Sequence, residues 1–137
     1  MKKIYLIVPL VLILSISCAD QIVSTCGDEL PGPGFTATFS SIQEYVLTPN
    51  CAVSGCHVGT NPPEGLDFSE GKSYDNLVSV ASQQSSLLLV DPGKSSESWI
   101  IKKLNADGTS LMPPGSPLSA AVVDSIKKWI DEGAEND

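Results

Sequence analysis

The stretch that decides how this chain is interpreted lies between residues 51 and 57 and reads Cys51-Ala52-Val53-Ser54-Gly55-Cys56-His57. Two cysteines lie close together here, and the only histidine of the chain directly follows the second one. Ser54 and Gly55 can form a turn between the cysteines, because glycine tolerates backbone angles that other residues avoid. The function of this stretch depends on which chemistry needs two thiols and one imidazole close together.

Covalent attachment of haem needs this combination of side chains. Each thiol bonds to one vinyl group of the porphyrin, and an imidazole directly after the second thiol lies beneath the iron. The common motif has two residues between the cysteines, whereas four separate Cys51 from Cys56, so that two extra residues must loop out. A Cys51–Cys56 disulfide is the alternative interpretation, and it stays open on the sequence alone.

Met112 is a candidate for the second iron ligand. It is the only methionine apart from Met1, and it precedes Pro113 and Pro114 in a loop just before the last predicted helix. A histidine and a methionine form the axial pair of haems that pass electrons at high potential. Filling of the core is the alternative role, to which methionine is well suited.

The start of the chain is typical of an exported protein. Lys2 and Lys3 precede an apolar run over residues 4–16, which predicts a signal peptide at 1–17. The run is too short to span a bilayer, since about twenty apolar residues are needed for that.

Cys18 is predicted to be the lipid-modified first residue of the mature protein, because residues 14–18 resemble a bacterial lipobox. Cleavage by an ordinary signal peptidase near Ser17 or Ala19 is the alternative. Residues 18–34 lack apolar periodicity and are interpreted as a flexible tether, followed by a domain over residues 35–137. We therefore expect an exported bacterial protein on the periplasmic or cell-surface side of a membrane, the outer membrane being favoured.

The charge of the mature chain limits its partners. Without Lys2 and Lys3, six Lys and no Arg face sixteen acidic residues, a formal charge of −10. Nucleic acid is excluded as a partner, because its phosphates require cationic side chains. An anionic lipid surface is a poor partner for the same reason, so the membrane is contacted through the lipid anchor only. A basic redox partner protein fits the charge.

Apolar residues recur at helical spacing in four segments, which predicts an all-α fold of about four short helices and long loops. The first helix carries Phe39, Ile42, Tyr45 and Val46 on one face and is predicted to end at Pro49. The second covers residues 73–80, with Leu77 and Val80 facing inward.

The third helix is predicted to start at Ser95 or Ser96, to run through Leu104 and to bury Trp99, Ile100 and Leu104. Lys102 and Lys103 lie in its last turn, where the helix dipole favours cations. The last helix is the clearest element. Ser119 caps it, Gly133 ends it, and its inward stripe comprises Val122, Val123, Ile126, Trp129 and Ile130. The residues 87–90 form an apolar run of ambiguous type. A domain with such long loops needs a disulfide, a metal or a cofactor to complete its core.

From about residue 39 to residue 134 the chain resembles the small c-type cytochrome domains of the planctomycete type. The resemblance depends on the order and spacing of short motifs, none of which is specific alone. They are Ser54-Gly55-Cys56-His57, Gly65-Leu66-Asp67, Val90-Asp91-Pro92-Gly93, Ser98-Trp99-Ile100-Ile101-Lys102-Lys103-Leu104, Met112-Pro113-Pro114-Gly115 and Trp129-Ile130-Asp131-Glu132-Gly133-Ala134.

The resemblance implies a cytochrome c-like domain around one covalently bound haem c. Cys51 and Cys56 would carry the thioethers, while His57 and Met112 would bind the iron. It also implies that the first and last helices cross, with Phe39 or Tyr45 near Trp129. The function that follows is electron transfer and not enzymatic catalysis.

Two other functions stay open on the sequence. A haem-free surface interaction module would use a Cys51–Cys56 disulfide as its staple. A five-coordinate haem enzyme or sensor would result if Met112 did not bind iron. The sequence assigns no role to Cys26 and does not indicate an oligomeric state.

Overall fold

In a computed structural model of the protein, which describes Gly32 and residues 34–137, helices form nearly all of the regular structure. In chain order the elements are α1 (Phe39–Ile42), a π-helix (Gln43–Cys51), a 3₁₀ turn (Pro63–Gly65), α2 (Ser73–Leu77), a second 3₁₀ turn (Ser95–Glu97), α3 (Trp99–Asn105) and α4 (Ala120–Asp131). Extended pairing in these residues is limited to two isolated bridges, Val78 with Val90 and Ala81 with Leu88. The predicted all-α class is confirmed in its coarse form, a mostly helical chain.

The first helix is longer than the sequence predicted, because α1 continues without a break into the π-helix. The prediction that Pro49 ends the helix is wrong. Proline has no N–H, so it leaves a carbonyl of the preceding turn without a donor. The neighbouring Asn50 replaces that donor, since its Nδ2 donates to the Tyr45 carbonyl at 3.4 Å and to the Val46 carbonyl at 3.1 Å. The helix therefore extends to Cys51 at its C-terminal end.

The second helix, α2, is shorter than the predicted 73–80. Leu77 is buried as expected, but Ser79 has a φ of 61°, a left-handed conformation in which a helix does not continue. The Ser79 N–H donates to the Val90 carbonyl at 2.9 Å. The ambiguous run at 87–90 is thus an extended segment that lies beside the chain leaving α2.

The third helix, α3, starts at Trp99, later than predicted, because Ser98 interrupts the helical backbone. Ser98 is extended and completely buried. Its Oγ donates to the Lys94 carbonyl at 3.0 Å and accepts from the Asp91 N–H at 2.9 Å. These two bonds hold Ser98 against the preceding loop and separate the 3₁₀ turn from α3.

The expected burial of α3 is confirmed only in part. Leu104 is buried as predicted, and so is Ile101. Trp99 and Ile100, which were also expected in the core, are half-buried. Both side chains line the cleft described below.

The last helix, α4, agrees with the prediction in its cap, its stripe and its end. The Ser119 Oγ accepts from the Val122 N–H at 3.4 Å, and Gly133 follows the helix with a φ of 113°. All five predicted stripe residues are buried: Val122, Val123, Ile126, Trp129 and Ile130.

The two ends of the domain meet in the core. The ring centroids of Phe39 and Trp129 are 5.6 Å apart, so Phe39 is the aromatic residue that meets the last helix. Tyr45 packs instead against Phe35, at 6.0 Å. An Asp137 carboxylate oxygen accepts from the Phe39 N–H at 2.7 Å and thereby caps α1.

The predicted signal peptide at 1–17, Cys18, Cys26 and nearly all of the 18–34 tether lie outside the described residues. Those residues cover the predicted domain at 35–137. None of the helices that the structure describes is long and apolar enough to cross a membrane.

Candidate functional site

A largely apolar cleft of about 620 Å³ lies beside the core, and it is lined by all four residues that the sequence singled out. Cys51, Cys56, His57 and Met112 come from two segments more than fifty residues apart in the chain. Ligand pockets in proteins typically measure about 300–1,000 Å³. The fold therefore brings the predicted haem residues together around one space of suitable size.

The loop from Cys51 to His57 is closed by its own backbone hydrogen bonds. The Cys56 N–H donates to the Val53 carbonyl at 2.9 Å, which forms a turn with Gly55 at a φ of 83°. The His57 N–H donates to the Cys51 carbonyl at 3.0 Å. The predicted turn at Ser54 and Gly55 is confirmed. The turn accommodates the two extra residues between the cysteines, so that His57 lies next to Cys51 at the C-terminal end of the helix.

The His57 imidazole lies between this loop and Phe68. The two ring centroids are 4.7 Å apart with an angle of 36° between the ring planes, and the Phe68 N–H donates to the His57 carbonyl at 2.8 Å. The Nδ1 atom of His57 is buried and has no hydrogen-bond partner among the described residues. An unpaired buried polar atom costs about 1–3 kcal/mol. Because Nδ1 is inaccessible to water although the cleft is open to it, Nδ1 does not face the cleft, and an occupant would meet the other ring nitrogen, Nε2.

Phe68 is itself fixed by two side chains that donate to its carbonyl. They are the Gln43 Nε2 at 3.2 Å and the Ser73 Oγ at 2.6 Å. Both donors are buried, Ser73 to 1% exposure. The π-helix and α2 thus hold the ring against which His57 packs.

The two thiols are free and half-buried. Burial, together with the neighbouring Cys56 thiol, raises the pKa of the Cys51 thiol to about 11. Cys51 is therefore protonated at neutral pH. Because cysteine binds a metal as the thiolate, this environment disfavours a thiolate-ligand role for Cys51.

Met112 lines the cleft and is tied to α3. Its N–H donates to the Lys103 carbonyl at 2.9 Å, and the residue is half-buried. Pro113 and Pro114 also line the cleft. So do Trp99 and Ile100, the two α3 residues that were expected in the core and are half-buried.

A short strap forms another part of the lining. Glu64, in the 3₁₀ turn at Pro63–Gly65, has a φ of 56°. The Gln83 Nε2 donates to its carbonyl at 2.7 Å, and the Gln84 Nε2 donates to its Oε1 at 3.1 Å. These amides fix the strap against the segment that follows α2.

Sequence reasoning missed several of these residues. Phe68 is an aromatic residue in the loop after the histidine, which is only a weak sequence signal for a site residue. Its role depends on the buried side chains of Gln43 and Ser73, and no sequence signal pointed to these two residues. Lys103 and Trp99 are four residues apart on one helix face, and this spacing could have indicated their contact, with the Lys103 Nζ 5.5 Å from the Trp99 ring centroid.

No group of three or more His, Cys, Asp or Glu side chains in Gly32 and residues 34–137 is arranged to hold a metal ion. Comparisons of the chain with protein-family models, with curated proteins and with solved structures found no match.

Proposed function

We propose that this domain is a mono-haem c-type cytochrome that carries single electrons. The observation that supports the proposal is the convergence of Cys51, Cys56, His57 and Met112 on one apolar cleft of about 620 Å³. When bound, haem supplies an iron that alternates between the ferric and ferrous states. The fold would then be cytochrome c-like, with the haem completing the core.

The residues of the cleft fit a haem by their chemistry. The porphyrin itself provides four iron ligands, so the protein needs to supply only axial ones. His57 and Met112 both line the cleft, so that His57 can offer an imidazole nitrogen and Met112 a soft thioether sulfur from a distant segment of the chain. Thioether sulfur favours the reduced iron and raises the reduction potential.

Cys51 and Cys56 would anchor the haem. Cys51 and Cys56 would each hold one vinyl group of the haem by a carbon–sulfur bond, with the thiol hydrogen passing to the neighbouring vinyl carbon. This addition needs no oxidant. The closed loop between the two cysteines holds the sulfur atoms and the imidazole on one short segment.

The surrounding side chains would exclude water and hold His57. Leu47, Phe68, Leu77 and Leu104 line the cleft and are buried in the core. Phe68 limits rotation of the imidazole, and its own carbonyl is tied to two helices. A site held in this way changes oxidation state with little rearrangement.

The haem-free interaction module is less well supported. It needs a disulfide between Cys51 and Cys56, and it leaves the placement of His57 and Met112 on the same cleft unexplained. The five-coordinate haem enzyme or sensor needs Met112 to leave the iron, and it is the less favoured of the two alternatives.

The test of haem attachment is the intact mass of the protein, made in a host with haem maturation machinery, after extraction with acidified acetone. We expect the mass of one haem to stay with the protein and to be lost in Cys51→Ala/Cys56→Ala. Val53→Ala, an exposed change in the same loop, serves as the matched control. A haem-free protein with a Cys51–Cys56 disulfide would overturn the proposal in favour of the interaction module.

The test of the axial pair is the spectrum of Met112→Ala. We expect the far-red band of an oxidised His–Met haem to disappear, the potential to fall and the iron to bind carbon monoxide. Leu111→Ala, next in the chain and absent from the lining, is the control. An unmutated protein that already binds carbon monoxide readily would favour the enzyme or sensor.

Export and anchoring are a separate part of the proposal, supported by residues 1–18 alone. The domain would be attached by a lipid on Cys18 to the outer membrane, facing the periplasm or the cell surface, and would exchange electrons with a basic redox protein. Cys18→Ala should release the protein from membranes or leave it unprocessed. An unchanged mature mass and membrane fraction would contradict this.

A further inference from the structure

Lys103 differs from every other lysine in the described part of the chain. Residues 34–137 contain six lysines, and five of them form ion pairs with carboxylates: Lys72, Lys94, Lys102, Lys127 and Lys128. Lys103 has no carboxylate partner among the described residues. In a chain with so many more acidic than basic residues, an unpaired lysine is unexpected on grounds of charge alone.

The position of Lys103 gives a reason for this. It is half-buried on α3, it lines the cleft and its ammonium group lies over the Trp99 ring at 5.5 Å. The backbone of Trp99 is fixed in turn, because its main-chain N–H donates to the Leu88 carbonyl at 2.8 Å. Lys103 is the only cationic side chain lining the cleft among the residues that the structure describes.

An occupant of the cleft must compensate this charge. Filling the cleft removes water from the Lys103 ammonium, and a charge that loses water is costly unless it is paired. The one acidic residue of the lining, Glu64, already accepts from Gln84, and it lies on the strap and not on α3. The compensating negative group therefore has to come from the occupant.

We infer that Lys103 binds a carboxylate of the occupant, which for a haem is a propionate group, and thereby sets which edge of the porphyrin lies against α3. Trp99 holds the ammonium in place by a cation–π contact. This inference depends on the proposed haem function and deepens it. Lys103 is a positioning residue for the cofactor and not an iron ligand.

The experiment compares Lys103→Gln with Lys102→Gln in the purified, haem-bearing protein. Lys102 is the neighbouring lysine, it pairs with Asp107 at 2.6 Å and it does not line the cleft. We expect Lys103→Gln to lower the reduction potential, because the uncompensated propionate charge stabilises ferric iron. It should also shift the propionate bending band of the resonance Raman spectrum. Lys102→Gln should leave that band unchanged.

Two further variants separate charge from packing. Lys103→Arg should restore the potential and the band, since a guanidinium also pairs with a carboxylate. Lys103→Met keeps an apolar chain on Trp99 without charge, and it replaces the Gln variant if that one is not recovered.

The outcomes distinguish this inference from the proposed function. Haem in the protein, with the same band and potential in Lys103→Gln and Lys102→Gln, would overturn the role of Lys103 alone. An unmutated protein that attaches no haem would overturn both.

Discussion

Two sides of the domain differ in how their side chains are packed: the side formed by α4, and the side that contains the cleft. α4 buries five side chains, with Ile130 at 0% exposure, and no described residue of α4 lines the cleft. The cleft is walled instead by loops and helix ends, where Cys51, His57 and Met112 stay half-buried. Protein contacts alone complete the α4 side, whereas the cleft side would be completed by the proposed haem.

This difference indicates where the stability of the domain would depend on the proposed haem. Local opening follows the number of buried apolar contacts, so parts of one domain open at different free energies. The α4 side should keep its structure when the cleft is empty. The cleft side should lose structure when the cleft is empty. The following experiments test this difference between the two sides and are ordered from the largest expected effect to the smallest.

Removal of the haem should have the largest effect, and only on one side. In Cys51→Ala/Cys56→Ala we expect the amides of His57 and Phe68 to exchange hydrogen at least about a thousandfold faster than in the haem-bearing protein, or about 4 kcal/mol of local opening. The amides of Ile126 and Ile130 should keep their protection. Hydrogen exchange followed by mass spectrometry measures both. Equal loss on both sides would show that the division does not exist.

Truncation on the α4 side should reduce global stability instead. Ile130→Ala removes a completely buried side chain, and such changes cost about 2–5 kcal/mol of the free energy of unfolding. Denaturant unfolding of the haem-bearing protein measures this, while the haem spectrum should stay unchanged. Val53→Ala, at an exposed site, is the control and should cost little. A changed spectrum in Ile130→Ala would mean that α4 supports the site directly.

The same two regions differ in how far the sequence predicts them. α4 was predictable because its cap, its stripe and its terminal glycine all lie within one continuous segment, residues 119–133. The extent of the first helix was not, because the missing Pro49 donor is replaced by the Asn50 side chain, which only the folded backbone brings into place. The cleft residues were named from spacing and residue type, but their convergence depends on long-range packing.

The support for His57 should show a smaller effect. Ser73→Ala removes the 2.6 Å bond to the Phe68 carbonyl, which then keeps only Gln43 as a side-chain donor. Loss of a buried hydrogen bond costs about 1–3 kcal/mol. We expect this loss in denaturant unfolding, together with a changed reduction potential of the proposed haem, because the ring beside His57 gains freedom. Ser125→Ala, whose Oγ bonds within α4 to the Ala121 carbonyl, is the control. An identical potential in both variants would leave Ser73 a purely structural role.

The smallest effect should appear only in acid and concerns Asp67, next to Phe68. Its carboxylate accepts from the Lys72 Nζ at 2.7 Å and from the Ser69 N–H at 3.0 Å, and the Ser69 Oγ donates to it as well. These bonds, that of Lys72 first, lower the pKa of the Asp67 carboxyl from 3.8 to about 2. A pKa that is lower in the folded state contributes stability above the unfolded value. That contribution is lost as the pH falls from 3.8 toward about 2.

Asp67→Asn should therefore be less stable than the unmutated protein near neutral pH, and the difference should shrink as the pH falls through this window. Thermal unfolding at a series of pH values measures it. The control is Asp124→Asn, which breaks an exposed pair with Lys127 and should change little, since exposed ion pairs contribute little. Two unfolding curves that stay parallel into acid would show that Asp67 does not stabilise the loop through its charge. Curves that converge would mean that the carboxylate helps hold the segment leading to Phe68, and so the cleft side has an acid sensitivity that α4 lacks.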